Sequence, residues 1–585
     1  MEENVQGEKA GLWSRISWQA KLAFTAVIIY CIIAFSLYAR LKHLPGPYYG
    51  GDLYAHYGFA LNYIANGFWT DPYFVGHYAF YPWLGNYLFI ALSLLPGITL
   101  MQAENFVPII MIALSALAFW FLGIQVFKNK TLALALVLVA IAFKGFPGGA
   151  PNNLPWMITI PFWFAFWLKA EETGKLRDKA LAGLFMGLTS LSHVAFFLSG
   201  LSIFIFTILV ETLLKPQKKQ ALLNAFSLYG PMILVGLVVS MPFYGPIIVK
   251  YHAKTLNPLF QYNGPDISAL GIPWLAGEIW RSMINFRSIA LGALSVLTVL
   301  GFIACMLNFR KKLPRYALLW FAAGALVPMH HLITRPLLDR WVLPGHLFGA
   351  GLATLLFAVF GIGTIQKLIS QRWPDRNSQK IIIAGVLVLF AAMAVLRYES
   401  YRNDHWVQFG EKLDPATQAW LSLGKWAQEK TGQNAVFLTY PETCFAMNGV
   451  SGRKCVLVRR THANYFVDVE QRYADGVVML YGNSKQVTDR LIDEYDVEYV
   501  LIDTMMVQQP VMVDQRFESY LAENNVSFAK VRERKDPADP NARVFDLLAV
   551  PAQSINQHLQ SRLLADAEFK VNDQTYLQAL KVQSP

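Results

Sequence analysis

The sequence predicts a polytopic α-helical membrane protein of about eleven transmembrane helices, followed by a separate α/β domain. Of its 585 residues, 55% are apolar and only 15% are charged, which lies outside the composition of soluble domains. Apolar runs long enough to cross a bilayer recur over the first two thirds of the chain. Beyond them, the charge rises and helix-like stretches alternate with strand-like ones. We therefore expect a transmembrane domain at 1–396 and an extracytoplasmic α/β domain, the tail, at 397–585.

A helix needs about 20 predominantly apolar residues to span a bilayer. By that measure the candidate spans are 20–39, 104–126, 131–147, 153–169, 180–196, 197–214, 222–242, 286–309, 316–329, 341–364 and 380–396. The first run is too long for the apolar core of a signal peptide. Arg40 and Lys42 follow it, rather than a cleavage site of small residues, so we expect an uncleaved anchor.

The segment 84–97 is apolar but short, and it ends in Pro96-Gly97. If it crossed the membrane, the basic loops that follow it would all move to the external side, against the positive-inside rule. We therefore predict an interfacial helix here. The N-terminus is then cytoplasmic, residues 42–102 form a first external loop, and the tail lies outside a plasma (inner) membrane.

In the tail, helix-like segments at 414–430 and 487–496 each precede a strand-like segment, at 435–440 and 497–503. Cys444 and Cys455 could pair if this domain is extracytoplasmic, or they could be free buried thiols. The formal net charge of +11 comes from short basic clusters between apolar runs. Such clusters are typical of membrane topology signals, so we expect no nucleic-acid partner.

The stretch GGDLYAHYG at 50–58 places a carboxylate shortly after the first span. Asp52 could simply cap the helix that follows. Alternatively, glycine and aromatic neighbours at the membrane surface suit a general base that acts on an amphiphilic substrate. Asp52 and His56 then share one helix face at positions i and i+4.

The external sequence HHLITRPLLDRWVLPGH at 330–346 concentrates cationic groups. The planar guanidinium of Arg340 or Arg335 matches phosphate oxygens and keeps its charge in a low dielectric. Alternatively, each arginine snorkels at a helix end. His331 belongs to an adjacent histidine pair without a carboxylate at metal-motif spacing, so we expect loop histidines rather than metal ligands.

Three more positions carry alternatives. Lys250 lies in a basic external turn that either faces phosphate or is ordinary surface. His193 ends a span, where it either satisfies a hydrogen bond or contributes to a site. Glu104 is expected to stabilise the positive end of a helix.

The sequence lacks the signatures of several soluble enzymes. It contains no phosphate-binding GxxxxGK[ST] loop, no metalloprotease HExxH and no dinucleotide-binding GxGxxG after a strand. The predicted spans also lack the rows of buried acids that are typical of proton-driven carriers.

With these features the layout resembles the GT-C fold of polytopic membrane glycosyltransferases, which use sugars linked to polyprenyl phosphate. The shared features are an acidic residue just after the first span, a large first external loop with interfacial helices, about ten further spans and an external α/β tail. In loop order it is similar to oligosaccharyltransferase catalytic subunits, protein mannosyltransferases and arabinosyltransferases. The resemblance implies that Asp52 is the catalytic acid of the first loop and that Arg340 holds the lipid phosphate.

Two departures from oligosaccharyltransferases refine this expectation. Their second external loop carries a metal-binding acid, whereas FPGGAPNN at 146–153 offers only Asn152 and Asn153. The WWDYG acceptor motif is also absent from the tail. The resemblance therefore favours transfer of a single sugar from a polyprenyl monophosphate, with no metal or other cofactor.

The expected reaction is a direct, inverting displacement in which Asp52 takes the proton of an acceptor hydroxyl. Arg340, helped by Lys250 or His331, would neutralise the leaving phosphate. His56 would orient Asp52. Three aromatic residues would wall the sugar site: Tyr54, Tyr57 and Trp69.

The expected partners are the donor lipid, a glycan, lipid or protein acceptor, and membrane lipids. Four tail residues could shape acceptor choice or be ordinary solvated charges: Arg453, Arg459, Arg460 and His462. The alternatives to an enzyme are a polytopic lipid or glycan transporter and a non-catalytic scaffold of the same fold.

Overall fold

The computed structural model describes most of the chain. The described residues are 17–44, 51–144, 153–252, 254, 256, 277, 280, 283–326, 346–374, 377–403, 405–504, 510–534 and 544–583. Among the sequence-based candidates, Asn152, His331, Arg335 and Arg340 lie outside these residues. Asp52 is described as part of a helix, and its side chain is not described.

The regular elements described in the transmembrane domain are helices, apart from an isolated antiparallel bridge between Thr70 and Tyr78 in the first loop. Its helices are α1 (Trp18–Tyr38), α2 (Asp52–Asn66), α3 (Leu84–Ser93), α4 (Leu100–Phe127), α5 (Lys130–Lys144), α6 (Ile160–Thr173, after a π-helical turn at Pro155–Thr159), α7 (Leu176–Ser192), α8 (Val194–Leu213), α9 (Lys218–Tyr251), α10 (Ile289–Leu307), α11 (Lys312–Leu326), α12 (His346–Arg372) and α13 (Ser378–Arg402).

Each candidate span coincides with one of these helices. Within the described residues, seven helices are long and apolar enough to cross a membrane: α1, α4, α8, α9, α10, α12 and α13. Four further spans were predicted at α5, α6, α7 and α11, which have 15, 14, 17 and 15 residues. The polytopic helical class is therefore confirmed, and the count of eleven stays a prediction.

The segment predicted to lie in the membrane interface contains α3, which has 10 residues. At 1.5 Å per residue it covers about 15 Å, roughly half of the hydrocarbon core. The charged ends of three later helices, α6, α8 and α11, meet one another. Lys312 pairs with Glu171 at 2.8 Å and Arg315 pairs with Glu211 at 2.5 Å. The basic loops at 169–179 and 310–315, which are expected to be cytoplasmic, thus contact each other.

Small residues let neighbouring membrane helices approach closely. A Cβ atom on Gly301 of α10 would lie 1.6 Å from the carbonyl oxygen of Phe357 in α12, and one on Gly361 would lie 2.1 Å from that of Leu297. Glycine at helix contacts is common in membranes, where close packing rather than burial from water holds helices together.

The tail combines helices with two sheets. Its helices are α14 (His405–Glu411), α15 (Pro415–Lys430), α16 (Pro441–Ser451), α17 (Val469–Tyr481), α18 (Lys485–Glu494), α19 (Glu518–Glu523) and α20 (Gln557–Gln560). Its strands are β1 (Val436–Leu438), β2 (Lys454–Cys455), β3 (Val497–Asp503), β4 (Val511–Asp514), β5 (Ala529–Arg534), β6 (Val544–Val550), β7 (Leu563–Val571) and β8 (Gln574–Val582).

The larger sheet has the strand order β2-β1-β3-β8-β7, and the smaller one has the order β4-β6-β5. The strands β2, β1 and β3 are parallel, as expected for strands joined through helices, whereas β8 and β7 are antiparallel. The predicted α/β character of the tail is confirmed. Cys444 of α16 and Cys455 of β2 form a disulfide bond, which decides between the two alternatives for these thiols.

The tail packs directly on the first external loop, because α16 lies against α2. A Cβ atom on Gly58 would lie 2.6 Å from the carbonyl oxygen of Asn448, and one on Gly449 would lie 2.1 Å from the ring of Tyr54. The glycines thus bring the two helices into contact. This contact connects the tail to the helix that begins at Asp52.

Candidate functional site

The candidate site is centred on α2, whose first residue is Asp52. The N-cap position belongs to Gly51, so the interpretation of Asp52 as the N-cap residue is wrong. A carboxylate at the first helical position still benefits from the positive end of the helix dipole. The helix stands directly after the first span, and its N-terminus carries the acid that the sequence singled out.

One turn further along α2, His56 is buried, with 3% of its surface exposed. Its Nδ1 lies 3.1 Å from the carboxamide oxygen of Asn86 in α3. This contact ties the imidazole ring to the interior of the first loop. Asn86 of α3 therefore helps to position the imidazole of His56 on α2, the helix that begins at Asp52.

Tyr81 brings two of the predicted histidines together. Its ring centroid lies 5.2 Å from that of His56 and 5.9 Å from that of His193. His193 also caps α8, because its Nδ1 accepts a hydrogen bond from the backbone nitrogen of Ala195 at 3.2 Å. Tyr81 and Asn86 were missed by sequence reasoning, although both belong to the aromatic stretch YPWLGN at 81–86 of the first loop.

Glu104 is buried beside this group, with 2% of its surface exposed. Neither of its carboxyl oxygens has a hydrogen-bond partner among the described residues. The prediction that Glu104 stabilises a helix end is wrong, since α4 begins four residues earlier. There Thr99 and Gln102 form a reciprocal capping box. Burying a polar group without a partner is costly, so Glu104 is a second acidic candidate, for which the sequence had indicated only a capping role.

Tyr57 of α2 lies close enough to Glu104 to respond to its charge. Burial raises the pKa of Tyr57 to about 12, and the Glu104 carboxylate contributes to the same increase. Tyr57 and Leu53 share one face of α2, because they are four residues apart. The face of α2 that is directed at α4 therefore continues to the N-terminal turn at Asp52.

The other two predicted aromatic walls have structural contacts. Tyr54 is buried, with 1% exposed, and its ring packs on Gly449 of the tail. Trp69 is half exposed, and its Nε1 donates a hydrogen bond to the carbonyl oxygen of Pro242 in α9 at 2.8 Å. Both residues help to hold the first loop in place against its neighbours.

The first loop carries another acid, Asp71, which is fully buried at the contact with the tail. One carboxylate oxygen accepts from the backbone nitrogens of Tyr73 and Phe74, at 2.7 and 3.0 Å. The other accepts from the side-chain nitrogen of Asn464 at 2.6 Å. Lys454 donates to the backbone oxygen of Asp71.

Lys454 is also buried, and its ammonium group donates to the side-chain oxygen of Asn62 in α2 at 2.6 Å. Desolvation raises the pKa of Asp71 above its ordinary value despite its hydrogen bonds, and it lowers the pKa of Lys454 to about 8. Asn448 adds a further connection, donating to the carbonyl oxygen of Pro72 at 2.9 Å. The tail is thus tied to the loop by buried polar contacts.

The predicted tail cations are mostly paired within the tail. Arg453 donates to the last carbonyl groups of α15, including that of Ala427 at 3.0 Å. Arg459 forms an ion pair with Glu442, and Arg460 forms one with Glu470 at 2.6 Å. His462 packs against the ring of Phe445, at 4.7 Å between centroids. These contacts favour the structural alternative for this stretch.

The remaining sequence candidates are dispersed. Lys250 lies at the end of α9, where its ammonium group donates to the carbonyl oxygen of Gly76 at the tip of the first loop. Asn153 is half-buried in the helical turn that precedes α6. Within the described ranges, no group of three or more His, Cys, Asp or Glu side chains gathers as metal ligands.

Comparison with known proteins identifies the fold. No protein-family model matches the chain, and no curated protein does. Solved structures do match, beginning with the Archaeoglobus fulgidus oligosaccharyltransferase tethered to an acceptor peptide. It superposes with a TM-score of 0.53 over 91% of this chain and 74% of that one, at 14% identity. The chain has the GT-C fold.

Two further structures share this fold. The oligosaccharyltransferase AglB from Archaeoglobus fulgidus, in complex with an inhibitory peptide and a dolichol-phosphate, matches with a TM-score of 0.51 and 15% identity, over 91% of this chain and 74% of that one. ArnT from Cupriavidus metallidurans bound to undecaprenyl phosphate matches with a TM-score of 0.50 and 13% identity, over 91% of this chain and 98% of that one. The GT-C resemblance predicted from the sequence is confirmed at the level of the fold.

Proposed function

We propose that the protein is a membrane glycosyltransferase that moves a single sugar from a polyprenyl monophosphate to an acceptor hydroxyl, with inversion at the anomeric carbon. The observation that carries this proposal is the position of Asp52 within the GT-C fold, at the start of α2 and directly after the first span. The dolichol-phosphate on AglB and the undecaprenyl phosphate on ArnT support a lipid-linked donor.

In the proposed reaction, Asp52 takes the proton of the acceptor hydroxyl while its oxygen bonds to the anomeric carbon. The bond between that carbon and the phosphate oxygen breaks, and polyprenyl phosphate leaves with the electron pair. A single displacement of this kind inverts the configuration. Phosphate leaves readily, so the protein mainly has to position the reactants and balance the departing charge.

His56 supports this arrangement as a positioning residue. Its Nδ1 lies 3.1 Å from the side-chain oxygen of Asn86, and it shares a helix face with Asp52. We assign binding of the departing phosphate to Arg340, with Arg335 and His331 as further candidates. Asn152 and Asn153 are the candidate substrate-binding residues of the second external loop. Lys250 contacts the tip of the first loop, so it takes no part in this assignment.

We also propose that the tail faces the outside of a plasma (inner) membrane. The disulfide between Cys444 and Cys455 supports this orientation, because such bonds persist in oxidising compartments. The acceptor hydroxyl would then be presented from the external side.

The test uses the purified full-length chain and a panel of polyprenyl-phosphate sugars, with products followed by mass spectrometry. Asp52→Asn should lower turnover by about a hundred- to ten-thousand-fold, as expected for loss of a general base. The matched control is Asp566→Asn, at an exposed position of β7. We propose that no divalent metal takes part, so EDTA should leave turnover within about twofold of the untreated protein.

The same assay separates the alternatives. A lipid or glycan transporter would leave the donor chemically intact while moving it across vesicles, and a scaffold would do neither. Normal turnover in a monodisperse Asp52→Asn preparation would reject the assignment of the base.

A further inference from the structure

Two cations that the proposed reaction does not use contact the tip of the first external loop. Arg472 of α17 stacks its guanidinium 4.0 Å from the ring centroid of Phe74 and 4.8 Å from that of Tyr495. Stacking on aromatic faces is favourable for a guanidinium but leaves its N–H donors unused. Arg472 makes no side-chain hydrogen bond or ion pair with the described residues.

Lys250 contacts the same loop tip and lies over two rings. Its ammonium nitrogen is 4.8 Å from the ring centroid of Tyr78 and 5.7 Å from that of Tyr251. The ring of Tyr251 stacks on that of His77 with 8° between their planes. Since the rings of Phe74 and His77 are also neighbours at 6.3 Å, an aromatic ladder joins the two cations.

His77 does not add a third charge to this ladder. Its pKa is lowered to about 4, first by burial and then by the positive charges of Arg472 and Lys250. The imidazole is therefore neutral near pH 7. Its Nδ1 lies 3.3 Å from the hydroxyl of Tyr251, so the ring offers a polar but uncharged surface between the cations.

The carboxylate nearest to Arg472 along α17 is already occupied. Asp475 accepts from the hydroxyls of Tyr495 at 2.6 Å and Tyr520 at 2.8 Å, and from the side-chain nitrogen of Gln471 at 3.0 Å. Lys250 has a backbone carbonyl as its hydrogen-bond acceptor and no carboxylate within ion-pair distance among the described residues. Neither cation thus has a direct ion pair with the described residues, although the carboxylates of Asp71, Asp475 and Glu494 act on Arg472 at longer range.

The loop tip is remote from Asp52. Thr70, which precedes the tip, binds the side chain of Asn62 at 3.0 Å, and Asn62 stands ten residues after Asp52 in α2. At 1.5 Å per residue, this corresponds to about 15 Å along the helix. A sugar attacked beside Asp52 could not place its own leaving phosphate that far away.

We propose that Arg472 and Lys250 form a binding site for a phosphate group of the acceptor. The guanidinium supplies a planar fork of donors and the ammonium a second charge, so that the pair matches a dianionic phosphate. An acceptor anchored there would reach along the first loop toward Asp52. That the phosphate belongs to the acceptor rests on the proposed function, whereas binding of a phosphate group at this place does not depend on it.

The site is tested with the full-length protein in nanodiscs of phosphatidylcholine. One arm titrates sn-glycerol 3-phosphate, with glycerol as the uncharged comparison, and measures affinity by microscale thermophoresis. The other arm adds phosphatidate to the nanodiscs and measures the shift of the thermal unfolding midpoint. The first arm reports a soluble phosphate and the second a lipid headgroup.

We expect glycerol 3-phosphate or phosphatidate to bind, and Arg472→Gln and Lys250→Gln each to weaken that binding by about tenfold or more. The matched control is Lys254→Gln, an exposed lysine on the same turn, which should change the affinity by less than about twofold. If Arg472→Gln does not remain monodisperse, Lys250→Gln carries the test, because its side chain is exposed. The conservative Arg472→Lys should retain part of the affinity.

Equal affinity in wild type, Arg472→Gln and Lys250→Gln would overturn the site. So would the combination of no preference for glycerol 3-phosphate over glycerol and no shift of the unfolding midpoint when phosphatidate is added to the phosphatidylcholine nanodiscs. Asp52→Asn separates this outcome from failure of the proposed function. It should abolish transfer while leaving phosphate affinity unchanged. Normal transfer by Asp52→Asn would remove the catalytic proposal and leave the anion site standing.

Discussion

Asp71 and Lys454 place two ionisable groups in the buried contact between the first external loop and the tail, although 383 residues separate them in the chain. Burial opposes the charged form of each group. The cost is reduced by their opposite charges and by hydrogen bonds from Asn464 and to Asn62. At the residue scale, this pair makes docking of the tail sensitive to protonation.

The pKa of Lys454 predicts how stability changes with pH. In the folded protein it is lowered from 10.5 to about 8, so between these values the unfolded chain binds more protons than the folded one. Stability should therefore rise as the pH increases from 8 to 10.5. The raised pKa of Asp71 acts in the acidic range just above 3.8, where stability should fall as pH rises.

Thermal or urea unfolding between about pH 7.5 and 10 measures the alkaline effect. The double variant Asp71→Asn/Lys454→Met removes both charges. Its free energy of unfolding should rise with pH less steeply than that of wild type, by up to about 1.4 kcal/mol per pH unit. Lys425→Met, at an exposed position of α15, controls for the general titration of surface lysines. Identical slopes in wild type and double variant would show that Lys454 has no depressed pKa.

At the element scale, the contact between α2 and α16 decides how the helix that carries Asp52 is held. Gly58 belongs to the stretch GGDLYAHYG, and its lack of a side chain lets Asn448 approach the helix. Gly449 does the same for Tyr54. The sequence indicated an unusual loop at this place. It could not indicate that Tyr54 and Gly58 pack against α16, a helix from the distant tail.

Adding one methyl group tests this packing. Gly449→Ala would place a Cβ atom 2.1 Å from the Tyr54 ring, and Gly58→Ala would place one 2.6 Å from the Asn448 carbonyl oxygen. We expect each to lower the free energy of unfolding by about 1–3 kcal/mol through overpacking, and to lower turnover because α2 carries Asp52.

Gly432→Ala is the control, since a Cβ atom at this position would have open space around it, and the variant should behave like wild type. Thermal unfolding in detergent and the transfer assay provide the two measurements. If Gly449→Ala is as stable as Gly432→Ala, then α16 does not hold α2 in the way described.

At the scale of the whole molecule, the ends of the helices sort into two groups. One group contains the charged pairs around Glu171 and Glu211. The other includes the stacked rings of Phe35 and Phe106 and the bond from Arg397 to the carbonyl oxygen of Phe143, at 2.7 Å. This alternation fits a chain that crosses repeatedly, with the first loop and the tail on the same side.

The orientation is tested by labelling with a membrane-impermeant maleimide in right-side-out vesicles. Gly432→Cys, in the tail, should react, and Lys215→Cys, in the exposed turn between α8 and α9, should react only after the membrane is permeabilised. The wild-type chain controls for the free thiols of Cys31 and Cys305. The reverse pattern would place the tail in the cytoplasm.

The sequence by itself determined the fold class, because a bilayer accepts only helices or closed barrels and a spanning helix needs about 20 apolar residues, which is a local property. It also located α2 and marked Asp52, since the acid lies in a glycine- and tyrosine-rich stretch shortly after the first apolar run. The alternation of periods in the tail likewise predicted its α/β character.

Only the tertiary structure decided what surrounds α2. Three features have no counterpart in local sequence patterns: the carboxyl group of Glu104 without a partner among the described residues, the ring of Tyr81 between two histidines, and Arg472 at the loop tip. Each arises where segments distant in the chain pack together. The physical reason is that membrane insertion depends on the composition of one segment, whereas a site depends on the distances between several.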